Sequence, residues 1–181
     1  MNKKVYKWFW AWQADEEEAW LAEMARQGWA LAGVGYAAYE FEPCAPGAYI
    51  VRLELLDALP CTARGRDYIE FVESTGAEYL GSVLRWAYFR KKADEGGFDL
   101  FSDLDSRIRH LERIHWLLVP LTVMLAVNLC NVAAMLARFP QEMLLRAGAA
   151  VEILLLYLFL RGLRTIRRKR NALAAERTLH E

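Results

Sequence analysis

The chain has 181 residues, 23 of them basic and 23 acidic, so its formal net charge is zero. That length holds one small globular domain and an anchor, and the charge balance gives no global field to attract nucleic acid or an acidic substrate. The cysteines Cys44, Cys61 and Cys130 are odd in number and scattered, which argues against a disulfide framework and for a reducing compartment.

Between Lys3 and Trp12, Tyr6, Trp8, Trp10 and Trp12 alternate with other residues, so a strand there would carry all four on one face. Such rings either fill a small core or form a stacking face for a ligand or partner at Trp8, Trp10 and Trp12. The opening segment turns acidic where a leader would need an apolar run, so no signal peptide is expected and the amino-terminal part is expected in the cytoplasm. Asp15 and Glu18 form a D-x-x-E helix start. The run Asp15, Glu16, Glu17, Glu18 reads as helix capping and solvated surface rather than as paired catalytic carboxylates. A helix is predicted from about Glu16 to Gln27, with Trp20, Leu21, Met24 and Ala25 as its apolar face and Gly28 as its left-handed end.

Trp29–Glu42 reads as a strand bent at Gly33 or Gly35, and Tyr49–Leu55 as an alternating strand. Asp67 and Glu70 repeat the D-x-x-E start of a helix that ends at Gly76, and a last strand region covers Tyr79–Arg90. The segments that begin at Gly28 and Gly76 echo each other weakly: each follows a helix and ends with tyrosine and phenylalanine close together. The expected fold for residues 1–92 is an α+β, ferredoxin-like βαββαβ sandwich, with extra strands if either glycine-led segment forms a hairpin.

Residues 93–97 are the expected linker and 98–115 an amphipathic juxtamembrane helix, in which Phe101, Leu104, Ile108, Leu111 and His115 recur at alternating spacings of three and four. Two heptads are short for a coiled coil, so the stripe is expected to dock on the domain or lie at a lipid interface. Residues 116–137 carry no formal charge; as a helix they would be about 33 Å long, enough to cross a bilayer core of about 30 Å. After a turn around Pro140, residues 143–161 form the second expected span of a two-helix transmembrane hairpin. Glu152 falls near its midplane, where an ionised acid costs about 2.5–3.5 kcal/mol. Counting outward from Pro140 puts Asn128 at the same depth and Asn131 about one turn nearer the loop. The pair either glues the helices together or forms a proton or ion site in an oligomer.

Arg107, Arg109 and Arg113 precede the first span and Arg161, Arg164, Arg167, Arg168, Lys169 and Arg170 follow the second, against Arg138 and Arg146 at the turn. Both termini are therefore expected in the cytoplasm. Within the tail 162–181, Arg167, Arg168, Lys169 and Arg170 would reach anionic lipid or serve as a topology signal. No residue spacing points to a metal, a cofactor or a catalytic constellation: His110, His115 and His180 share no ligand spacing, and no nucleophile elbow or phosphate loop is present.

The pieces KWFWAWQADEEEAWLAEMARQGWAL, YEFE, YIVRLEL, RDYIEFVESTGAEYLGSV and WAYFRKK, over about Lys3 to Lys92, resemble the bacterial membrane-protein family catalogued as domain of unknown function 2812. The family pattern tends to have tryptophan where this chain has Ala77. The resemblance implies hydrophobic spans after the domain, a gene neighbourhood with PadR-like transcriptional regulators, and no catalytic residues. The expectation is a non-enzymatic sensing or partner-binding protein of the bacterial inner membrane. Its partners would be the bilayer, a PadR-like regulator or a transporter subunit, and a further copy of itself, with no direct nucleic-acid contact. The competing expectation is an oligomeric transport component that uses Glu152.

Overall fold

The computed structural model describes residues 2–98, 104–139 and 141–180. It divides into two compact units, Met1–Asp103 and Leu104–Glu181.

The first unit runs β1 (Lys3–Tyr6), a short 3-10 turn, α1 (Ala14–Arg26), β2 (Trp29–Gly35), β3 (Ala38–Pro43), β4 (Tyr49–Leu55), α2 (Ala63–Ser74), β5 (Glu78–Val83) and β6 (Trp86–Lys92). It is α+β, and its described residues form six strands in two antiparallel three-stranded sheets ordered β1-β3-β2 and β4-β6-β5. The four-strand ferredoxin-like order is corrected here: each long predicted strand is a hairpin. A 14-residue strand would be about 46 Å long, far beyond the usual five or six residues, so the chain reverses at Tyr36-Ala37 and at Leu84-Arg85. Neither turn has the Asn-Gly or Asp-Gly signal of a tight hairpin; instead Ala37 and Leu84 adopt left-handed φ of 52° and 56°.

The weak echo is a structural duplication, βαββ followed by βαββ. Gly28, Gly33 and Phe41 each stand forty-eight residues before Gly76, Gly81 and Phe89. Gly28 and Gly76 both follow a helix with left-handed φ, 84° and 89°, and both hairpins carry a register shift, at Leu31/Gly33 and at Tyr79/Gly81. The helix starts differ from the D-x-x-E expectation. α1 begins one residue ahead of Asp15 without a side-chain cap, whereas α2 is capped by Thr62, whose Oγ1 accepts from Gly65 N at 3.2 Å. The backbone at Leu59 comes so close that a Cβ on Gly65 would lie 2.2 Å from its carbonyl oxygen.

Two cores hold the unit together. In one, Leu21 and Met24 of α1 pack with Leu31, Tyr39 and Phe41 of the first sheet and Val51, Leu53 and Tyr88 of the second. In the other, Ile69 and Val72 of α2 pack with Ala77, Ala87 and Phe89, so the small Ala77 is a buried helix-to-sheet contact. Arg90 of β6 ties the sheets across: its Nη1 donates to Leu31 O at 2.8 Å and Glu42 at 2.6 Å, and its Nε to Glu78 at 2.7 Å. Strand β4 is an edge, and α1 covers part of it: Glu18 Oε1 accepts from Leu53 N at 2.7 Å, which satisfies a backbone donor that an open edge would leave bare.

The second unit is a hairpin of α3 (Leu104–Arg138) and α4 (Met143–His180). Both helices are continuous through the expected boundaries at 115 and 161: the juxtamembrane segment runs into the first expected span and the basic tail continues the second. At 1.5 Å per residue the helices are about 52 and 57 Å long, so about 22 and 27 Å of them exceed a 30 Å hydrocarbon layer. Both are long and apolar enough to cross a membrane. The spacing of three and four seen before residue 116 continues through Leu118, Thr122, Leu125 and Leu129, all buried or half-buried, and meets Leu145, Ala149, Glu152, Leu156, Phe159, Leu163 and Ile166 on α4. The stripe therefore packs as an antiparallel seam of coiled-coil spacing against α4. Phe101, the first residue of the expected stripe, falls outside the described residues.

Candidate functional site

The candidate site is in the first unit, where the amino-terminal segment passes α1. Strand β1 stops at Tyr6; Lys7 N donates to Ala37 O at 3.1 Å, and then Gln13 closes a turn, its N donating to Trp10 O at 2.8 Å and its Oε1 accepting from Trp10 N at 3.1 Å. The strand through Trp12 is thus corrected. The rings gather through this turn and not through strand alternation: Trp10 stacks on Trp12 with centroids 5.1 Å apart and planes at 4°, and Trp8 meets Trp10 and Tyr36 edge-on at 5.6 and 5.4 Å. Trp8, Phe9, Trp10 and Tyr36 wall a cavity of about 110 Å³, with Val83 and Trp86 from the second hairpin; Trp12 backs Trp10 from outside.

At the cavity lies Glu17, which corrects the reading of the acid run as solvated surface: it is 6 % exposed. It occupies the core-facing stripe of α1 with Leu21, Met24 and Ala25, at spacings of four, three and one. Its Oε1 accepts from Tyr39 Oη and from Tyr88 Oη, each at 2.7 Å. Tyr39 comes from β3 of the first repeat and Tyr88 from β6 of the second, so one carboxylate oxygen joins the two halves. Glu17 Oε2 accepts no hydrogen bond among the described residues.

Burial pushes the Glu17 carboxyl above the ordinary carboxylate range, and the two hydroxyl donors pull it part of the way back. Burial, and then the neighbouring carboxyl group, push both tyrosine hydroxyls upward, so they remain protonated donors to Glu17. Lys7 also lines the cavity, and its ammonium sits over two rings, 4.8 Å from the Phe9 centroid and 4.5 Å from that of Trp20. The arrangement joins aromatic faces, a desolvated carboxylate and an open mouth, which suits recognition.

Of the residues singled out from the sequence, Trp8 and Trp10 thus reach this site, while Trp12 supports it. Sequence reasoning missed Glu17, Tyr39 and Tyr88. The signal for Glu17 was present, since the apolar stripe extended back by four residues from Leu21 lands on it; Tyr39 and Tyr88 meet only through the pairing of two repeats.

The polar pair of the hairpin is a separate place. Asn128 Nδ2 donates to Glu152 Oε1 at 2.7 Å, the partner that equal depth from Pro140 assigns. Glu152 is buried on the seam; Asn128 and Asn131 are both exposed on α3, and Asn131 stands outside the pair. On α4, Arg167 and Arg168 are exposed and Lys169 and Arg170 half-buried, all on continuous helix.

A family model described as "Protein of unknown function (DUF2812)" matches residues 13–124, more than half of the chain. The chain belongs to that family. The match takes in Glu17, Tyr39 and Tyr88 and runs into α3, beyond the region in which the resemblance was read, but leaves out Lys7, Trp8 and Trp10. No curated protein and no solved structure matches the chain.

Proposed function

We propose that this protein is a non-enzymatic, membrane-anchored sensor whose α+β unit takes a small ligand into the aromatic cavity beside Glu17. The observation that carries this is a buried carboxylate with one oxygen held by two tyrosine hydroxyls and the other left without a hydrogen bond. A fold optimised only for stability is served better by apolar packing at such a position. The α3–α4 hairpin is the anchor, in the bacterial cytoplasmic membrane with both termini inside; the excess of arginine and lysine at the open end over Arg138 and Arg146 at the turn supports that orientation. The lengths of α3 and α4 beyond a bilayer core support a stalk of about 22 to 27 Å. A PadR-like transcriptional regulator is the protein partner that the family resemblance favours.

A reporter of that regulator's promoter, compared with and without this protein across envelope stresses, tests the reading. Trp8→Ala, at an exposed rim position, should abolish the response at unchanged protein level; an identical reporter signal with, without and with altered protein sinks it. The second reading, transport through an oligomer, rests on the buried Glu152 in an apolar helix. There Glu152→Gln should abolish flux while insertion and assembly persist, and unaltered flux eliminates it.

A further inference from the structure

Resting on the sensor reading of this cavity, we infer that its ligand is an organic cation: a protonated amine whose ammonium head enters beside Glu17 and whose apolar body lies against the rim. The lining selects charge first. An anion would meet the buried carboxyl group and the negative faces of several rings, with only Lys7 to attract it, whereas an ammonium is drawn to the carboxyl group and the rings and is repelled only by Lys7, whose own charge already lies over Phe9 and Trp20. The site displays this preference internally, since Lys7 holds its own ammonium over Phe9 and Trp20 and makes no ion pair among the described residues.

Hydrogen bonding selects the head group. Both tyrosine hydroxyls converge on Oε1 at 2.7 Å, which leaves Oε2 as an acceptor without a donor. An N–H of a primary or secondary ammonium supplies that donor, and a charge-assisted bond to a desolvated carboxylate is of the strong kind. A neutral alcohol offers a donor but no charge.

Size selects the arrangement. A cavity of about 110 Å³ is smaller than the roughly 150 Å³ that takes up benzene, so the head enters and a ring stays at the mouth. Trp8 and Tyr36 stand there, 49 % and 73 % exposed and edge-on to each other, so aromatic surface remains for a ring to pack against.

The test is titration of the full chain in detergent micelles with benzylammonium, benzyl alcohol and benzoate, read by tryptophan fluorescence and by calorimetry. Benzylammonium should bind at least tenfold more tightly than benzyl alcohol. Glu17→Gln should lower its affinity to the level of the alcohol, and Trp8→Ala should weaken both. Equal affinity for alcohol and ammonium, both weakened by Trp8→Ala, overturns the cation and leaves the cavity a ligand site. Benzoate binding most tightly, and lost with Lys7→Met, overturns it in favour of an anion. If none of the three binds up to about 10 mM, the inference fails, while the sensor reading is decided by the reporter assay. The comparison of ammonium with alcohol uses the unaltered chain, so a Glu17→Gln variant that did not fold would leave the test intact.

Discussion

Replacing Tyr88 with phenylalanine isolates the contribution of one hydroxyl to the junction between the two repeats. The ring is retained, so no cavity forms, and the loss is the 2.7 Å bond to Glu17 Oε1. Tyr88 is 5 % exposed and Glu17 6 %, so the bond that is lost is a buried one. A hydrogen bond to a charged group contributes about 1.5–3 kcal/mol. At a slope of about 2 kcal/mol per molar urea, a loss of about 2 kcal/mol lowers the unfolding midpoint by about 1 M. The cost should also depend on pH. Burial already raises the Glu17 carboxyl above its ordinary value of 4.5, so the stability associated with its neutral form is complete below 4.5 and is lost as pH rises through the folded value. Removing a donor to the carboxylate raises that folded value further, so the variant's deficit should be small near pH 4 and reach its full size above the raised value. Urea titration of the full chain in detergent, followed by tryptophan fluorescence at several pH values, reads this directly. Six of the seven tryptophans, Trp8, Trp10, Trp12, Trp20, Trp29 and Trp86, lie in the α+β unit, so the signal reports on that unit. A deficit below about 0.5 kcal/mol, constant with pH, would refute the claim that Glu17 is held as a desolvated carboxylate.

Gly65→Ala should destabilise the same unit by about 3 kcal/mol, because the new Cβ would lie 2.2 Å from the Leu59 carbonyl oxygen; a midpoint within 0.2 M of wild type, on the order of experimental scatter, would show that this backbone gives way freely. Asn128→Leu should weaken the helix hairpin by about 0.6–2 kcal/mol, measured as the loss of helical circular dichroism during titration with a denaturing detergent, and an unchanged curve would mean that the bond to Glu152 stabilises nothing. For the topology, Cys61 is exposed in the α+β unit, so in intact cells a membrane-impermeant maleimide should leave it unmodified until the cells are permeabilised. Labelling from outside would reverse the orientation.

Several features were legible because they are local. Alternation gave β4, the stripe Leu21, Met24, Ala25 gave α1, and Gly28 and Gly76 gave the helix ends. The uncharged run from residue 116 gave a helix long enough to span, and counting from Pro140 matched Asn128 with Glu152. Other features were hidden because their cause is distant. The hairpin reversals at Ala37 and Leu84 carry no turn residues of their own; they are imposed by antiparallel pairing of β2 with β3 and of β5 with β6. β1 could stop at Tyr6 because Gln13 folds back on Trp10, a contact that alternation cannot reveal. The spacing of three and four before residue 116 was visible, but its partner, far along the chain on α4, was not.

By itself the sequence determined the kinds of element and that the second unit has helices long and apolar enough to cross a membrane, since periodicity, capping glycines and uninterrupted apolar length act through neighbouring residues. Only the tertiary structure decided that Glu17 is not a surface acid. Its position on the core face of α1 is written in the spacing, but the two hydroxyls that make burial of that carboxylate tolerable come from β3 and β6. Those strands meet α1 only when the two βαββ repeats close around it.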